Sequence, residues 1–287
     1  FTTRGDLVRG GVAGAAERFA AVTSGNVVAG DGTDVVSQAI ATTLAVAPAA
    51  NLSALSLDLA ATGSAVHRWA LAEGTGTSFA DTGSAAQALT LTGAAARVTA
   101  PGIRGSGIYF DGTATNHLRT ADSPTNPGAQ SFTVHGWVKL ETYGGTYQLF
   151  CNKLVDPTTW APPYVGIGIG LMNSGSGIWY FHHSAGGTFV ATTVADDQYQ
   201  LSLRVWHLLA VTYDGAHVRA YLDGVLAATV AATGDVTWGT GPWQLGGEAN
   251  SGGSWLFGTL SDWRVEGSAL TAAQLAAIYE RGVRTLV

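Results

Sequence analysis

Residues Arg204 to Thr229 read RVWHLLAVTYDGAHVRAYLDGVLAAT, and this stretch is the strongest indication of the fold. It contains two Asp-Gly dipeptides, Asp214-Gly215 and Asp223-Gly224, and each lies between runs of alternating apolar residues. Asp-Gly tolerates the positive φ angles that a tight hairpin turn requires. The stretch therefore predicts three antiparallel strands joined by two turns.

The first of these strands is apolar on both faces. Side chains alternate along a strand, so Trp206 and Leu208 share one face while Leu209 and Val211 share the other. A strand with two apolar faces is typical of the centre of a two-layer sandwich. We therefore expect the opening stretch to lie inside a sandwich and not on a single solvated sheet.

The composition agrees with a turn-rich β-protein. Only 12% of the 287 residues are charged, 39 are glycine, and the net charge is −6. An acidic chain without a run of Lys or Arg is not expected to bind nucleic acid or an anionic membrane. No stretch is long and apolar enough to predict membrane insertion as a helix. Cys151 is the only cysteine, which excludes a disulfide within the chain.

Several motifs resemble the laminin-G-like, concanavalin-A-like jelly-roll domains. Trp206–Gly215 followed by Val218–Gly224 is similar to the central signature of that family. Four more segments agree in order and spacing: Ile108–Gly112, Ser131–Lys139, Phe257–Val265 and Ala269–Leu275. The resemblance runs from about Val66 to Val283. It implies an all-β fold, a two-sheet antiparallel jelly-roll sandwich with one short C-terminal helix, and we assign residues 66–287 to this head domain.

The C-terminal helix has its own sequence signals. Thr271 and Gln274 form a capping box, and Leu275 and Ile278 give an apolar stripe. We predict a helix from Thr271 to Arg281 that Gly282 ends. It is expected to pack against the sandwich.

Residues 1–43 differ from the rest, because their apolar pieces are very short and separated by glycine-containing turns. Examples are Phe19–Val22 and Val27–Ala29. The segment resembles modules of phage tail-fibre proteins through Thr2–Leu7, Ala16–Phe19 and Asn26–Asp31. That resemblance implies a small β fibre or shaft segment that forms a homotrimer and contacts other virion proteins. The alternative is a disordered leader rich in glycine and alanine.

Residues 44–65 connect the two parts. The leucines of this segment are too numerous for a solvated linker, and Ser53 to Leu59 alternates polar and apolar residues like a strand. One interpretation is a collar buried between subunits. The other is an additional edge strand of the sandwich.

The sequence gives no sign of catalysis. Retaining glycosidases need two carboxyl groups about 5 Å apart, and by resemblance the glucanases of this fold carry them as Glu-x-Asp-x-x-Glu. None of the six Glu residues here has an Asp two positions later, and no Gly-x-Ser-x-Gly motif is present. His182-His183 is interpreted as a structural pair, since adjacent strand residues point apart. We therefore expect a protein that is not an enzyme.

A structural calcium ion is the one cofactor that the resemblance implies. Members of the family often hold Ca²⁺ between an N-terminal loop and the closing strand, with oxygen ligands. The candidates are Asp262 and, in the earlier loop, Asp81. Without calcium, Asp262 would bond to the sheet and Asp81 would cap a turn.

Carbohydrate binding is the function with the best physical support in the sequence. Sugars pack on aromatic rings and bond to polar side chains. Two loops offer both kinds of group, and the candidate residues are Trp160, Tyr164, Asn173, Glu248, Asn250 and Trp255. For each of them a structural role is the alternative. Gly166 to Gly170 alternates glycine with isoleucine, which leaves one strand face bare for another backbone or a ligand.

Together these features predict a virion fibre or spike protein, at the virion surface or extracellular, whose head binds a polysaccharide of the host cell. Adsorption would rest on weak binding multiplied by several copies. A secreted or surface bacterial carbohydrate-binding module is one alternative. A purely structural or decorating virion protein is the other.

Overall fold

The structure, a computed structural model, describes most of the chain beyond residue 64 and four short strands before it. The described ranges are 8–10, 16–18, 26–30, 35–39, 65–93, 98–103, 105–113, 116–143, 147–153, 165–172, 175–248 and 255–284. The chain divides into two compact units, Phe1–Ser56 and Leu57–Val287. The division falls inside the segment predicted as a collar, which apart from Ala65 lies outside the described residues.

The first unit contains two pairs of short antiparallel strands. Strand β1 (Val8–Gly10) pairs with β2 (Ala16–Arg18), and β3 (Asn26–Gly30) pairs with β4 (Val35–Ala39). The predicted segment Val27–Ala29 is therefore in a strand. The predicted segment Phe19–Val22 lies outside the described residues.

The second unit contains two antiparallel sheets of eight strands each. The first, called the helix-side sheet below, consists of β5 (Ala65–Trp69), β8 (Val98–Ala100), β9 (Gly107–Asp111), β11 (Phe132–Leu140), β16 (Trp206–Tyr213), β17 (His217–Leu222), β18 (Val225–Ala231) and β20 (Phe257–Glu266). Its order is β18-β17-β16-β11-β20-β9-β8, and β5 pairs with the far end of β20.

The other sheet is called the aromatic sheet below. It consists of β6 (Ser78–Phe79), β7 (Leu89–Thr92), β10 (His117–Arg119), β12 (Gln148–Lys153), β13 (Ile167–Leu171), β14 (Trp179–His183), β15 (Val190–Val194) and β19 (Gln244–Leu245). Its order is β15-β14-β13-β12-β19-β10-β7-β6.

The opening stretch forms the three predicted strands β16, β17 and β18. The side chains of β16 divide as the alternation predicts, because Leu209 and Val211 enter the main core. On the opposite face, Ala210 packs with Leu275 of the C-terminal helix. Both faces of β16 are therefore covered, and the prediction of a central sandwich strand is confirmed.

The two Asp-Gly turns differ in conformation. At the second turn both Asp223 and Gly224 have positive φ, 53° and 81°, as a two-residue hairpin favours. At the first turn only Gly215 has positive φ. There Asp214 instead accepts hydrogen bonds from the backbone amides of Ala216 and His217.

The C-terminal helix α1 (Ala272–Arg284) begins as predicted but ends later. The Thr271 backbone amide donates to Gln274 Oε1 (2.8 Å), and the Gln274 amide donates to Thr271 Oγ1 (3.3 Å), so the capping box is confirmed. The prediction that Gly282 ends the helix is wrong. Gly282 lies inside α1 because the helix rests there on Trp137, where an added Cβ would come within 2.0 Å of the indole. Among the described residues, no helix has the length and hydropathy to span a membrane.

Candidate functional site

The outer faces of the two sheets are covered differently. Helix α1 packs on the outer face of the helix-side sheet, where Leu275 contacts Ala210 and Tyr221. On the aromatic sheet, Ile169 and Phe181 belong to the main core. Their alternating neighbours Gly170 and Tyr180 therefore lie on the outer face of this sheet.

Cross-strand pairing brings the outward residues of the aromatic sheet into two rows. In one row Leu149, Gly170, Tyr180 and Thr193 are successive partners. In the next row the successive partners are Ala191, His182, Gly168, Asn152, Gln244 and Arg119. This side of the sheet thus combines aromatic rings with amide side chains, and the amides of Asn152 and Gln244 are buried and bonded within the protein.

Four rings form a continuous line on this face, called the aromatic row below: Tyr147, Tyr180, His182 and Phe189. Tyr147 meets Tyr180 edge-on at 5.6 Å between ring centroids. Tyr180 lies 4.7 Å from His182, and His182 lies 4.9 Å from Phe189. Tyr147 is 46% exposed, whereas Tyr180 is only 6% exposed. The row therefore has one ring open to solvent and others that hold it in place.

The two glycines of β13 explain how Tyr180 lies flat on the sheet. An added Cβ on Gly170 would stand 2.8 Å from the Tyr180 hydroxyl oxygen and 3.0 Å from its Cζ. Gly168 is the cross-strand partner of His182, as Gly170 is of Tyr180. The sequence prediction left open what approaches the bare glycine face. At Gly170 it is the phenol of the neighbouring strand.

Two titratable groups of the row are held neutral. Burial, and then the neighbouring His183, lower the pKa of His182 to about 4. Burial, and then the charge of Glu248, raise the pKa of Tyr180 above its ordinary range. At neutral pH the aromatic row itself therefore carries no charge.

The structure brings two of the predicted sugar-binding residues to this sheet. Glu248 is fully buried, and its charge acts on Tyr180. The Trp255 indole rests on Gly247, where an added Cβ would meet it at 2.4 Å, and it lies 5.8 Å from the His117 ring on β10. The Asn152 amide nitrogen donates to the Gly247 carbonyl at 3.1 Å. Glu248 and Trp255 therefore lie close to the outward polar residues of the aromatic sheet.

The other predicted sugar-binding residues, Trp160, Tyr164, Asn173 and Asn250, lie outside the described residues. The strand ends from which their segments leave are nevertheless described. The segments containing Asn173 and Asn250 follow Met172 and Glu248, whereas the segment containing Trp160 and Tyr164 follows Lys153. Lys153 and Gln148 are at opposite ends of β12, and Gln148 pairs with Leu171, so Lys153 and Met172 are at opposite ends of the sheet.

The residues of the aromatic row were not among the sequence candidates. The alternation in Trp179–His183 is apolar or aromatic on both faces, so it does not reveal which face is outward. The available signal was the three alternating glycines of Gly166–Gly170, which indicated that something lies across that strand.

The two calcium candidates, Asp81 and Asp262, both contact the backbone at the end of β5. Asp81 forms a backbone bridge with Trp69, and the Asp262 amide donates to the carbonyl of Ala70 (3.2 Å). The juxtaposition of an early loop and the closing strand is therefore present. Among the described residues, no group of three or more His, Cys, Asp or Glu is placed to hold a metal ion.

Both carboxylates have bonds within the protein. One oxygen of Asp81 accepts from the amides of Arg68 and Gly83, and the other accepts from His67 Nδ1 and the Gln87 amide. Burial alone would raise the pKa of Asp81, but these hydrogen bonds outweigh it and hold the pKa below its ordinary value. Asp262 makes a two-point contact with Arg264, at 3.2 and 2.9 Å. As placed, these oxygens do not fit a calcium ion, which needs six to eight ligands. Calcium binding stays a prediction from the resemblance.

Comparison with known proteins identifies the family. The sequence model of the laminin-G-like family, described as "Concanavalin A-like lectin/glucanases superfamily", matches residues 110–276, which is more than half of the chain. The protein belongs to this family. No match was found among curated protein sequences.

Solved structures with the same fold include several toxin receptor-binding domains. The receptor-binding domain of the botulinum neurotoxin C/D mosaic serotype has 11% identity and a TM-score of 0.57, over 76% of this chain and 51% of that one. The binding domain of Paraclostridial Mosquitocidal Protein 1 has 13% identity and a TM-score of 0.57, over 75% and 52%. The ligand-binding domain of botulinum neurotoxin serotype D, solved with N-acetylneuraminic acid, has 10% identity and a TM-score of 0.57, over 78% and 52%.

The present chain spans about half the length of these solved domains. At such low identity the comparison establishes the lectin-like sandwich fold, and its neighbours are named as binding domains.

Proposed function

We propose that this protein binds carbohydrate on the outer face of the aromatic sheet and that it does not cleave it. The observation that carries the proposal is the aromatic row, which ends in the half-exposed ring of Tyr147. The apolar faces of sugar rings pack on such aromatic side chains, and sugar hydroxyls bond to amides and backbone groups nearby, often through water. The family description names lectins and glucanases, and both kinds of protein bind carbohydrate.

The proposal that the protein is not an enzyme rests on the carboxylates. The sequence lacks the Glu-x-Asp-x-x-Glu arrangement by which the glucanases of this fold place two carboxyl groups on one strand. Glycoside hydrolysis requires such a pair. On the aromatic sheet, none of the eight strands contains an Asp or Glu residue.

The proposed biological setting is adsorption by a virion fibre. The support is the resemblance of Thr2–Leu7 and the segments after it to phage fibre modules, together with the two short strand pairs β1-β2 and β3-β4. A homotrimer would present three aromatic rows to the polysaccharide of a host cell. Weak single contacts then add up to a stable attachment through high effective concentration.

The test compares two variants on an array of immobilised polysaccharides and oligosaccharides. Tyr147→Ala removes the exposed ring of the aromatic row, and we expect roughly tenfold weaker binding, as for a central aromatic residue of an interface. Val225→Ala is the matched control, because Val225 is 56% exposed but lies in the helix-side sheet. Equal binding by Tyr147→Ala and wild type would refute the proposed face. Release of reducing ends from a bound polysaccharide would refute the absence of catalysis.

A further inference from the structure

The aromatic sheet is nearly free of charged residues. Arg119 and Lys153 are the only Asp, Glu, Lys or Arg residues in its eight strands. The strands of the helix-side sheet differ, since they carry seven charged residues: Arg68, Asp111, Lys139, Arg219, Asp262, Arg264 and Glu266. In a chain whose net charge is −6, the strands of the aromatic sheet thus carry few charged residues.

Both cations of the aromatic sheet are bound within the protein. The Lys153 side chain is 1% exposed, and its ammonium group donates to the carbonyls of Gly239 and Gly241. The Arg119 guanidinium donates to the Asp122 carboxylate at 2.5 Å. A sugar carboxylate or sulfate on the aromatic row would therefore find both of these positive groups already engaged.

An acidic residue also lies close to the aromatic row. Glu248, three residues beyond β19, is fully buried, and its interaction with the Tyr180 hydroxyl contributes to the raised pKa of that group. An acidic neighbour offers no attraction to an anionic sugar above Tyr180.

The row cannot supply a compensating positive charge at neutral pH. Its single imidazole, His182, has a pKa of about 4 and is therefore neutral there. From these charges we propose that the ligand of the aromatic row is a neutral polysaccharide, and that the face discriminates against carboxylated and sulfated sugars. This proposal rests on the proposed function and adds the chemical class of the ligand.

Discrimination by charge differs from discrimination by shape in its dependence on salt. A neutral ligand held by ring stacking and hydrogen bonds should bind equally well at low and high ionic strength. Repulsion of an anionic ligand should weaken as salt screens it, over a Debye length that falls from about 10 Å at 0.1 M to about 3 Å at 1 M.

The experiment measures binding of the full chain at pH 7 to three neutral polysaccharides (dextran, mannan and galactan) and to three acidic ones (polysialic acid, alginate and heparin). We expect binding to at least one neutral polysaccharide, with a dissociation constant that stays within twofold between about 0.05 and 0.5 M NaCl. Tyr147→Ala should weaken that binding roughly tenfold, and Val225→Ala should retain it. We expect the acidic polysaccharides to bind at least roughly tenfold more weakly than the neutral ones at low salt.

A second variant tests the charge argument directly. Thr193 is exposed on the outer face and pairs with Tyr180, so Thr193→Lys places an ammonium group beside the row. One added cation near an anion in water should improve binding of the acidic polysaccharides roughly fivefold at low salt.

The outcomes separate the two proposals. Binding to an acidic polysaccharide alone, lost in Tyr147→Ala, would overturn the neutral ligand class and leave the carbohydrate-binding face intact. Binding to neither class would overturn both proposals. Neutral binding unaffected by Tyr147→Ala would refute the site.

Discussion

Gly170 offers a sharp test of how the sequence builds the aromatic row. An added Cβ there would lie 2.7 Å from the Gln148 carbonyl oxygen, 2.8 Å from the Tyr180 hydroxyl oxygen and 3.0 Å from Tyr180 Cζ. The phenol ring can rotate away, but the carbonyl belongs to the adjacent strand β12 and cannot. Gly170→Ala should therefore both displace Tyr180 and strain the pairing of β12 with β13.

Insertion of one methyl group into a packed site of this kind costs about 1–3 kcal/mol. We expect about 2 kcal/mol for Gly170→Ala, which lowers the Tm by roughly 4–8 °C for a unit of this size. The assay is urea unfolding followed by tryptophan fluorescence, together with polysaccharide binding at a temperature where both proteins are folded. Binding should fall with the displacement of Tyr180.

Gly74→Ala is the matched control, because nothing lies within 4 Å of an added Cβ at Gly74 and its φ is not positive. This substitution should change the free energy of unfolding by less than about 1 kcal/mol. If Gly170→Ala were as stable as Gly74→Ala and bound polysaccharide normally, the described contact between Tyr180 and Gly170 would be incorrect.

Three further predictions concern the protonation of the row, the metal and the assembly. His182 has a folded-state pKa of about 4 against about 6.5 when unfolded. Its contribution to the free energy of unfolding is therefore fully present above pH 6.5 and is lost as the pH falls through 4. In His182→Gln the free energy of unfolding should fall by about 1–2 kcal/mol less over this pH range, a value reduced because the side chain is partly exposed. Identical pH dependence of wild type and variant would contradict this. The resemblance predicts that EDTA lowers the Tm by removing calcium, whereas an unchanged Tm would contradict calcium binding and agree with the bonds that Asp81 and Asp262 make within the protein. Light scattering should give a trimer for the whole chain and a monomer for a chain beginning at Ala65, whereas monomers in both cases would favour an isolated carbohydrate-binding module over a fibre.

The sequence predicted the sandwich because its decisive signals are local. Asp-Gly turns and alternating apolar residues specify β16, β17 and β18 without knowledge of their partners. Strand β19 was not predicted, since two residues, Gln244–Leu245, are too few to show a period. Strand β15 was missed for another reason, because Val190–Val194 contains no large side chain and lies at a sheet edge.

The end of helix α1 and the aromatic row could not be predicted from the sequence, because both depend on contacts between distant parts of the chain. Gly282 looks like a helix terminator in sequence, but the Trp137 indole occupies the space that any larger residue would need. The outward direction of Tyr180 follows from the register that pairs it with Gly170, and sequence alone does not fix that register. The glycines of β13 were visible, whereas the rings that lie across this strand were not.

The most direct test of the central claim is a crystal structure of the protein with a hexasaccharide of the neutral polysaccharide that it binds most tightly. We expect sugar rings packed on Tyr147, on the outer face of the aromatic sheet, near Tyr180 and His182. A hexasaccharide bound instead on the helix-side sheet, with Tyr147 uncovered, would contradict it.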